Sequence, residues 1–201
     1  MTIELVTTDG LFRLDGGEWE VTNNIWLIGD DREVIVVDAA HDAAPIVAAV
    51  NGRRVTAIAL THGHNDHINA AVALQDAVDA PILLHPDDTM LWREVYADVS
   101  PDRSLADGDL IGELRVIHTP GHSPGGCCFV TGGHVFSGDT LFCGGPGATG
   151  RSHSDFPTIV ESIRTRLLTL PPETVVHTGH GDTTTIGAEA PDLDEWLRRG
   201  H

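Results

Sequence analysis

Residues 59–74 read ALTHGHNDHINAAVAL. His62, His64, Asp66 and His67 fall within a short stretch directly behind the apolar run VTAIAL at 55–60. Imidazole and carboxylate packed this densely are metal-ligand chemistry. The apolar run predicts a buried strand, and the pattern after it predicts a helix starting near Ile68 and running to 78. His62, His64 and Asp66 then lie on a strand-to-helix loop, with His67 at the helix edge.

Three further candidates sit in the same kind of place. His122 lies in HTPGHSPGG (118–126), behind the strand-like LRVIHT (114–119). Asp139 lies in FSGDTLF (136–142), behind HVF (134–136), and His180 lies in HTGHGDTT (177–184), behind ETVVH (173–177). Sites in open α/β sheets collect at the carboxyl ends of strands, and the glycines around each cluster let the backbone turn sharply. Five histidines and two aspartates are too many for one tetrahedral ion and suit two. His62, His64 and His122 can form one site, and Asp66, His67 and His180 the second. Asp139, with two oxygens, can bridge them, and a hydroxide between the ions would complete both shells.

The rest of the chain alternates strand-like and helix-like runs. EVTNNIWLIG (20–29) and REVIVVDAA (32–40) predict antiparallel strands, and APIVAAV (44–50) a short helix. ILLH (82–85) predicts a strand and DDTMLWREVYA (87–97) a helix with acids in its first turn. A second round begins near Leu105. Its strands are LRVIHT, GCCFVT (126–131), HVFSG (134–138) and ETVVHTG (173–179). A Gly-rich loop spans Gly144 to Gly150, a helix spans 155–170 until Pro171 and Pro172 stop it, and an amphipathic helix closes the chain at 190–200. This order predicts two sheets between helix layers, a four-layer αβ/βα sandwich of the α/β class, with 1–201 as a single domain.

Composition narrows the function classes. The 201 residues carry a net charge of −18, dispersed rather than gathered in a tail, which repels phosphate backbones and argues against a nucleic-acid partner. No run approaches the roughly 18 apolar residues of a membrane span. MTIELVTTDG at the start has no basic residue and no apolar core, so no signal peptide is expected and the expected compartment is the cytoplasm. All 12 basic residues are arginine, which points to a high-GC genome. Cys127, Cys128 and Cys143 form no disulfide framework; the first two are expected as small buried strand residues.

H-x-H-x-D-H at 62–67, with His122, Asp139 and His180 after it, resembles the signature of the metallo-β-lactamase superfamily at all seven positions. TPGHSPGG, FSGDTLF and TGHGDTTTIG look most like the compact glyoxalase II (hydroxyacylglutathione hydrolase) branch. The resemblance implies the metallo-β-lactamase fold and two divalent ions, zinc first, with iron or manganese fitting the same donors. It implies hydrolysis by a metal-bridging hydroxide, with Asp66 and Asp139 orienting the nucleophile and holding a proton. No acid besides the ligands is evident in these loops. That favours a thioester, whose thiolate leaves unassisted, over an amide or lactam, whose amine needs a proton.

The expected substrate is therefore a small acyl thioester; the oligomeric state is not readable from the sequence. The alternatives are a persulfide dioxygenase-like oxidoreductase with one iron, and hydrolysis of another ester or a lactam. Arg151, behind the Gly-rich loop, and Cys143, behind GDTLF, are candidate substrate contacts. His153 and Asp155 are expected as turn residues capping the next helix. His41, His85, His118, His134, His177 and His201 fall outside the motif and are expected to be structural or exposed. Glyoxalase II carries basic residues in a C-terminal helical extension that grip glutathione. After His180 this chain offers only Arg198 and Arg199. Mycothiol, the thiol of many high-GC actinobacteria, lacks glutathione's two free carboxylates and is the expected alternative carrier.

Overall fold

The computed structural model describes residues 1–200; His201 lies outside the described residues. The chain divides into two compact units, Met1–Leu105 and Ala106–His201, and the boundary falls where the second round of strands begins.

The first unit is a six-stranded sheet in the order β1-β2-β3-β4-β5-β6. Its strands are β1 (Thr2–Leu14), β2 (Gly17–Gly29), β3 (Glu33–Val37), β4 (Arg54–Ala59), β5 (Ile82–Leu84) and β6 (Arg103–Ser104). β1, β2 and β3 run antiparallel, and β4 to β6 add in parallel. Two chemically different turns set the antiparallel part. Asp15 and Gly16 both take positive φ (53° and 77°) between β1 and β2, the backbone a two-residue type I′ hairpin needs. At the next turn Asp30 Oδ1 accepts from the amides of Arg32 (2.8 Å) and Glu33 (2.9 Å).

Helices α1 (Ala43–Val50), α2 (Asn65–Ile68), α3 (Ala71–Val78) and α4 (Thr89–Val95) fill the parallel connections. Asp42 caps α1 by accepting from the Ala44 amide, and Asn51 ends it in the left-handed region at φ 53°. Ile25, Leu27, Val36, Ile46, Ile58, Leu74, Ile82 and Trp92 share one buried core, so the helices cover a face of the sheet.

Two sequence expectations are corrected here. β1 was not foreseen, although Asp15-Gly16 signals the hairpin that pairs it with β2 over its whole length. The single helix expected from Ile68 to 78 is two helices, α2 and α3. The His67 carbonyl accepts from the Ala39 amide (2.9 Å), and Ala70 N–H donates to the Ala39 carbonyl (3.0 Å). These bonds to the end of β3 take the groups that would have continued one helix, so Asp66 and His67 sit inside a helix of their own.

The second unit is a six-stranded sheet in the order β14-β13-β10-β9-β8-β7. Its strands are β7 (Leu110–Ile111), β8 (Leu114–His118), β9 (Cys127–Thr131), β10 (His134–Gly138), β13 (Val175–Thr178) and β14 (Thr184–Thr185). Only β10 and β13 pair in parallel. Part of the expected Gly-rich loop is a small ribbon of β11 (Leu141–Phe142) and β12 (Gly145–Pro146).

Asp155 caps α5 (Phe156–Ser162) by accepting from the Thr158 amide (2.9 Å). His153 turns the chain just before it, at φ 67°. α5 continues as a π turn (Ile163–Leu167), and α6 (Ile186–Glu189) and α7 (Leu193–Arg199) follow β14. Ile159, Ile163, Leu167 and Trp196 pack with Cys128, Val135 and Val176 of the sheet. Cys127 and Cys128 are buried as expected, and burial pushes the Cys128 thiol up to about 11. Among the described residues no helix is long and apolar enough to cross a membrane.

His134 Nδ1 and His177 Nε2 lie 3.0 Å apart, and the His177 ring stacks on Phe136. Burial and the neighbouring His134 push the His177 pKa down from 6.5 to about 4. The unfolded chain therefore binds a proton at this site between pH 6.5 and pH 4 that the folded chain does not. This contribution leaves stability untouched above pH 6.5 and weakens it progressively as pH falls towards 4. Urea-unfolding midpoints across this range should drop less steeply for His177→Gln than for the parent. Parallel slopes would show that His177 stays protonated in the fold.

Candidate metal centre

In the first unit, β4 delivers Thr61 and then an extended segment that ends at His64, the residue before α2 (φ −65°, ψ 145°). The His62 ring meets His64 edge-on at 4.8 Å and His67 at 4.2 Å, so the motif histidines converge. Gly63 between them is required by close approach: a Cβ there would lie 2.9 Å from Leu91 Cβ and 3.0 Å from Asp88 Cβ. The Gly63 amide donates to Asp88 Oδ2 (2.7 Å), which fixes the loop from behind.

Asp38, at the end of β3, organises the set. Its backbone is left-handed (φ 64°), and its carboxylate is buried. Oδ1 accepts from the Thr61 amide (2.7 Å), and Oδ2 accepts from Thr61 Oγ1 (2.9 Å) and lies 2.9 Å from His67 Nδ1. An ionised carboxylate only accepts, so His67 carries its proton on Nδ1 and turns a basic Nε2 outward. The Thr61 hydroxyl spends its proton on Asp38. Its oxygen, 3.0 Å from His62 Nδ1, then accepts from that nitrogen, which sets His62 in the same tautomer. One buried carboxylate thus prepares two candidate ligands. Asn23 Nδ2 lies 3.2 Å from both Asp66 Oδ2 and His67 Nε2, and its Oδ1 is held by His41 Nε2 at 2.8 Å.

In the second unit, His122, Asp139 and His180 come together. His122 Nδ1 donates to the Ala148 carbonyl (2.8 Å), leaving Nε2 as the basic nitrogen. His122 Nε2 and His180 Nε2 each lie 3.5 Å from Asp139 Oδ2. Gly147 makes room behind Asp139, because a Cβ there would fall 1.8 Å from the Asp139 carbonyl oxygen. Thr178 Oγ1 donates to the His180 carbonyl (2.7 Å) and shapes the turn after β13.

The donors in each unit fit divalent ions. Two ligands at 2.0–2.1 Å from a tetrahedral ion stand about 3.3 Å apart. The spacings above, and the 3.6 Å between His67 Nε2 and Asp66 Oδ2, are close to that. His62 Nε2, His64 Nε2, Asp66 Oδ1 and Asp139 Oδ1 are buried atoms that make no hydrogen bond, while the far ends of these side chains or their loops are held. All are nitrogen and oxygen donors, the set that suits zinc, iron or manganese.

The candidate substrate residues sit outside these sets. Arg151 N–H donates to Ser154 Oγ (3.1 Å) in the turn before α5, and Cys143 is exposed next to Phe142, whose ring lies 6.2 Å from His180. The sequence reading missed Asp38, Thr61, Asn23 and Asp88. Asp38 had a signal: an acid ending the buried run VIVV needs a partner.

Residues 19–180 match the sequence model of the metallo-beta-lactamase superfamily, and the chain belongs to that superfamily, with its α/β fold and its metal-dependent hydrolase class. Hydroxyacylglutathione hydrolase GloC of Haemophilus influenzae is 30% identical, over 82% of this chain and 87% of its own length. The crystal structure of TTHA1623 in a di-iron-bound form is 36% identical, with a TM-score of 0.79, over 85% of this chain and 93% of that one. The BLEG-1 B3 metallo-beta-lactamase is 29% identical, with a TM-score of 0.77, over 93% and 97%.

Asp38→Asn should lower metal affinity by about 10–100-fold, because an amide can donate where His67 Nδ1 and Thr61 need an acceptor. Chelator competition against the parent measures this. Unchanged affinity would show that His67 keeps its tautomer without Asp38.

Proposed function

We propose that the chain is a dinuclear metal-dependent thioesterase acting on acyl esters of a small thiol. His62, His64 and His122 would hold one ion and Asp66, His67 and His180 the other, with Asp139 offering its carboxylate to both. The observation that carries the reading is the complete seven-residue donor set, oriented by Asp38 and Thr61 in one unit and by the Ala148 carbonyl in the other. The similarity to GloC supports the thioester. The di-iron form of TTHA1623 supports two ions and leaves zinc and iron as fits to the same donors.

Bound divalent ions would supply Lewis acidity, polarising the acyl carbonyl and acidifying water. The chain's own residues do the rest. Asp66 and Asp139 orient the attacking water and accept its proton. Water oxygen adds to the acyl carbon, the C–S bond breaks, and the departing thiolate takes up the proton that the carboxylates received from water. The products are a carboxylic acid and a thiol. A thiolate needs no separate acid, whereas an amine or lactam nitrogen does. A small uncharged acyl thioester, rather than nucleic acid or a membrane, suits the net charge of −18.

Protein prepared without chelator should carry about two ions per chain, and Asp139→Asn should lower both occupancy and activity. Elemental analysis decides this. One ion at saturating metal, with oxygen consumed on adding a persulfide, would replace the proposal with a single-iron oxidoreductase.

A panel of esters tests the substrate. Thioesters of 2-hydroxy acids should be cleaved much faster than a chromogenic cephalosporin, and a mycothiol ester should show higher kcat/KM than S-lactoylglutathione. Equal or faster lactam turnover would sink the thioesterase reading. A preference for the glutathione ester would remove only the choice of thiol.

A further inference from the structure

The second unit buries one carboxylate that lies outside the donor set. Glu189 is 4% exposed and ends α6, three residues on from Ile186 and so on the same inward face. Ile186 joins the apolar core, a place where a carboxylate is costly unless it is hydrogen-bonded. Glu189 is bonded at both oxygens. Oε2 accepts from the Gly144 amide (3.0 Å), and Oε1 accepts from Thr184 Oγ1 (2.6 Å). The helix that presents it is itself fixed. Gly187 N–H donates to the Pro172 carbonyl (2.8 Å), and a Cβ at 187 would lie 2.9 Å from that oxygen.

Both partners of Glu189 lead to ligand loops. Gly144, at φ 98°, lies in the turn of the β11–β12 ribbon. Asp139 comes just before β11, and the Ala148 carbonyl that accepts from His122 Nδ1 comes just after β12. The outgoing arm is held at its foot, where Ser137 Oγ donates to the Leu141 carbonyl (2.7 Å). The returning arm contains Pro146, which has no N–H to give. It is placed by its ends: Gly147 N–H donates to the Thr140 carbonyl (3.1 Å), and the turn is tied to Glu189. Gly145 seats this arm against α7, because a Cβ there would lie 3.0 Å from Trp196 Nε1. Thr184 begins β14, the strand that follows the His180 loop and pairs back onto β13.

We propose that Glu189 is a positioning residue for the metal centre. It ties the ribbon turn to the strand that follows His180, so that the Ala148 carbonyl stays where it holds the His122 proton on Nδ1 and leaves Nε2 basic. The inference rests on the reading of His122, Asp139 and His180 as metal donors and is independent of the substrate. What the role requires is an acceptor for Gly144. Glutamine meets that requirement, because its oxygen can accept from Gly144 while its amide donates to Thr184 Oγ1.

The test has three readouts. Chelator competition gives metal affinity, nitrogen NMR of labelled imidazoles in the metal-free protein at alkaline pH gives the His122 tautomer, and amide hydrogen exchange reports the Gly144 bond. Glu189→Leu fills similar space without an acceptor. In this variant affinity should fall about tenfold or more, His122 should pass from the Nδ1–H form to a mixture of tautomers, and Gly144 should exchange faster. Glu189→Gln should restore all three. Thr184→Val removes one of the two bonds and should give a smaller change of the same sign. Unchanged affinity and tautomer in a folded Glu189→Leu overturn the role. If that variant does not fold, a Thr184→Val protein identical to the parent overturns it instead. A loss in Glu189→Gln as large as in Glu189→Leu would show that charge acts rather than the hydrogen bond, and the positioning role falls. A parent that takes up no divalent ion refutes the metal-centre reading itself, and the proposal with it.

Discussion

The buried carboxylate of Asp38 is the constraint on which the metal loop depends. A carboxylate buried at the end of a core strand is expensive unless it is hydrogen-bonded. Here it is bonded by the Thr61 amide, the Thr61 hydroxyl and His67. These bonds join the end of β3 to the exit of β4, so two neighbouring parallel strands present their loops in one fixed relation. The same bonds fix two tautomers, and a histidine with the wrong nitrogen protonated is no ligand. Structural cost and chemical purpose meet in one residue.

Around that anchor the first unit is built by contacts that take backbone groups away from regular structure. Ala39 claims the His67 carbonyl and breaks what would have been one helix into α2 and α3. Asp88 claims the Gly63 amide, and Asn65 claims both exposed backbone groups beside Phe12. The result is a short, tightly held segment on which ligands and scaffold alternate: His62 and His64 point their Nε2 atoms away from hydrogen bonds, while Gly63 and Asn65 grip the surroundings. A loop held this way loses little entropy when it takes up an ion.

The second unit reaches the same end with fewer polar supports. His122 leans on a carbonyl, and His180 is shaped by a threonine turn. Both approach Asp139, whose backbone leaves no space for any residue but glycine at 147. Asp139 and His180 each follow a strand with a residue buried in the helix-covered core, Val135 and Val176. The apolar alternation that builds the core therefore also sets where each ligand loop begins.

Much of this was legible in the sequence. Spacing and place behind apolar strands marked seven candidate ligands, because imidazole and carboxylate gathered there are costly without a common task. The apolar periods gave most strands and helices and the restart near Leu105, because burial repeats at intervals of two or 3.6 residues. What the sequence did not disclose was held by partners far away in the chain: Asp38 with His67, Asn65 with Leu11 and Arg13, and Ala39 with Ala70. Periodicity reports which face of an element is buried, but it carries no information about which distant donor meets which acceptor. That pairing, and with it the tautomers, the split of α2 from α3 and the position of Phe12 over His64, was decided only when the strands came together in the tertiary fold.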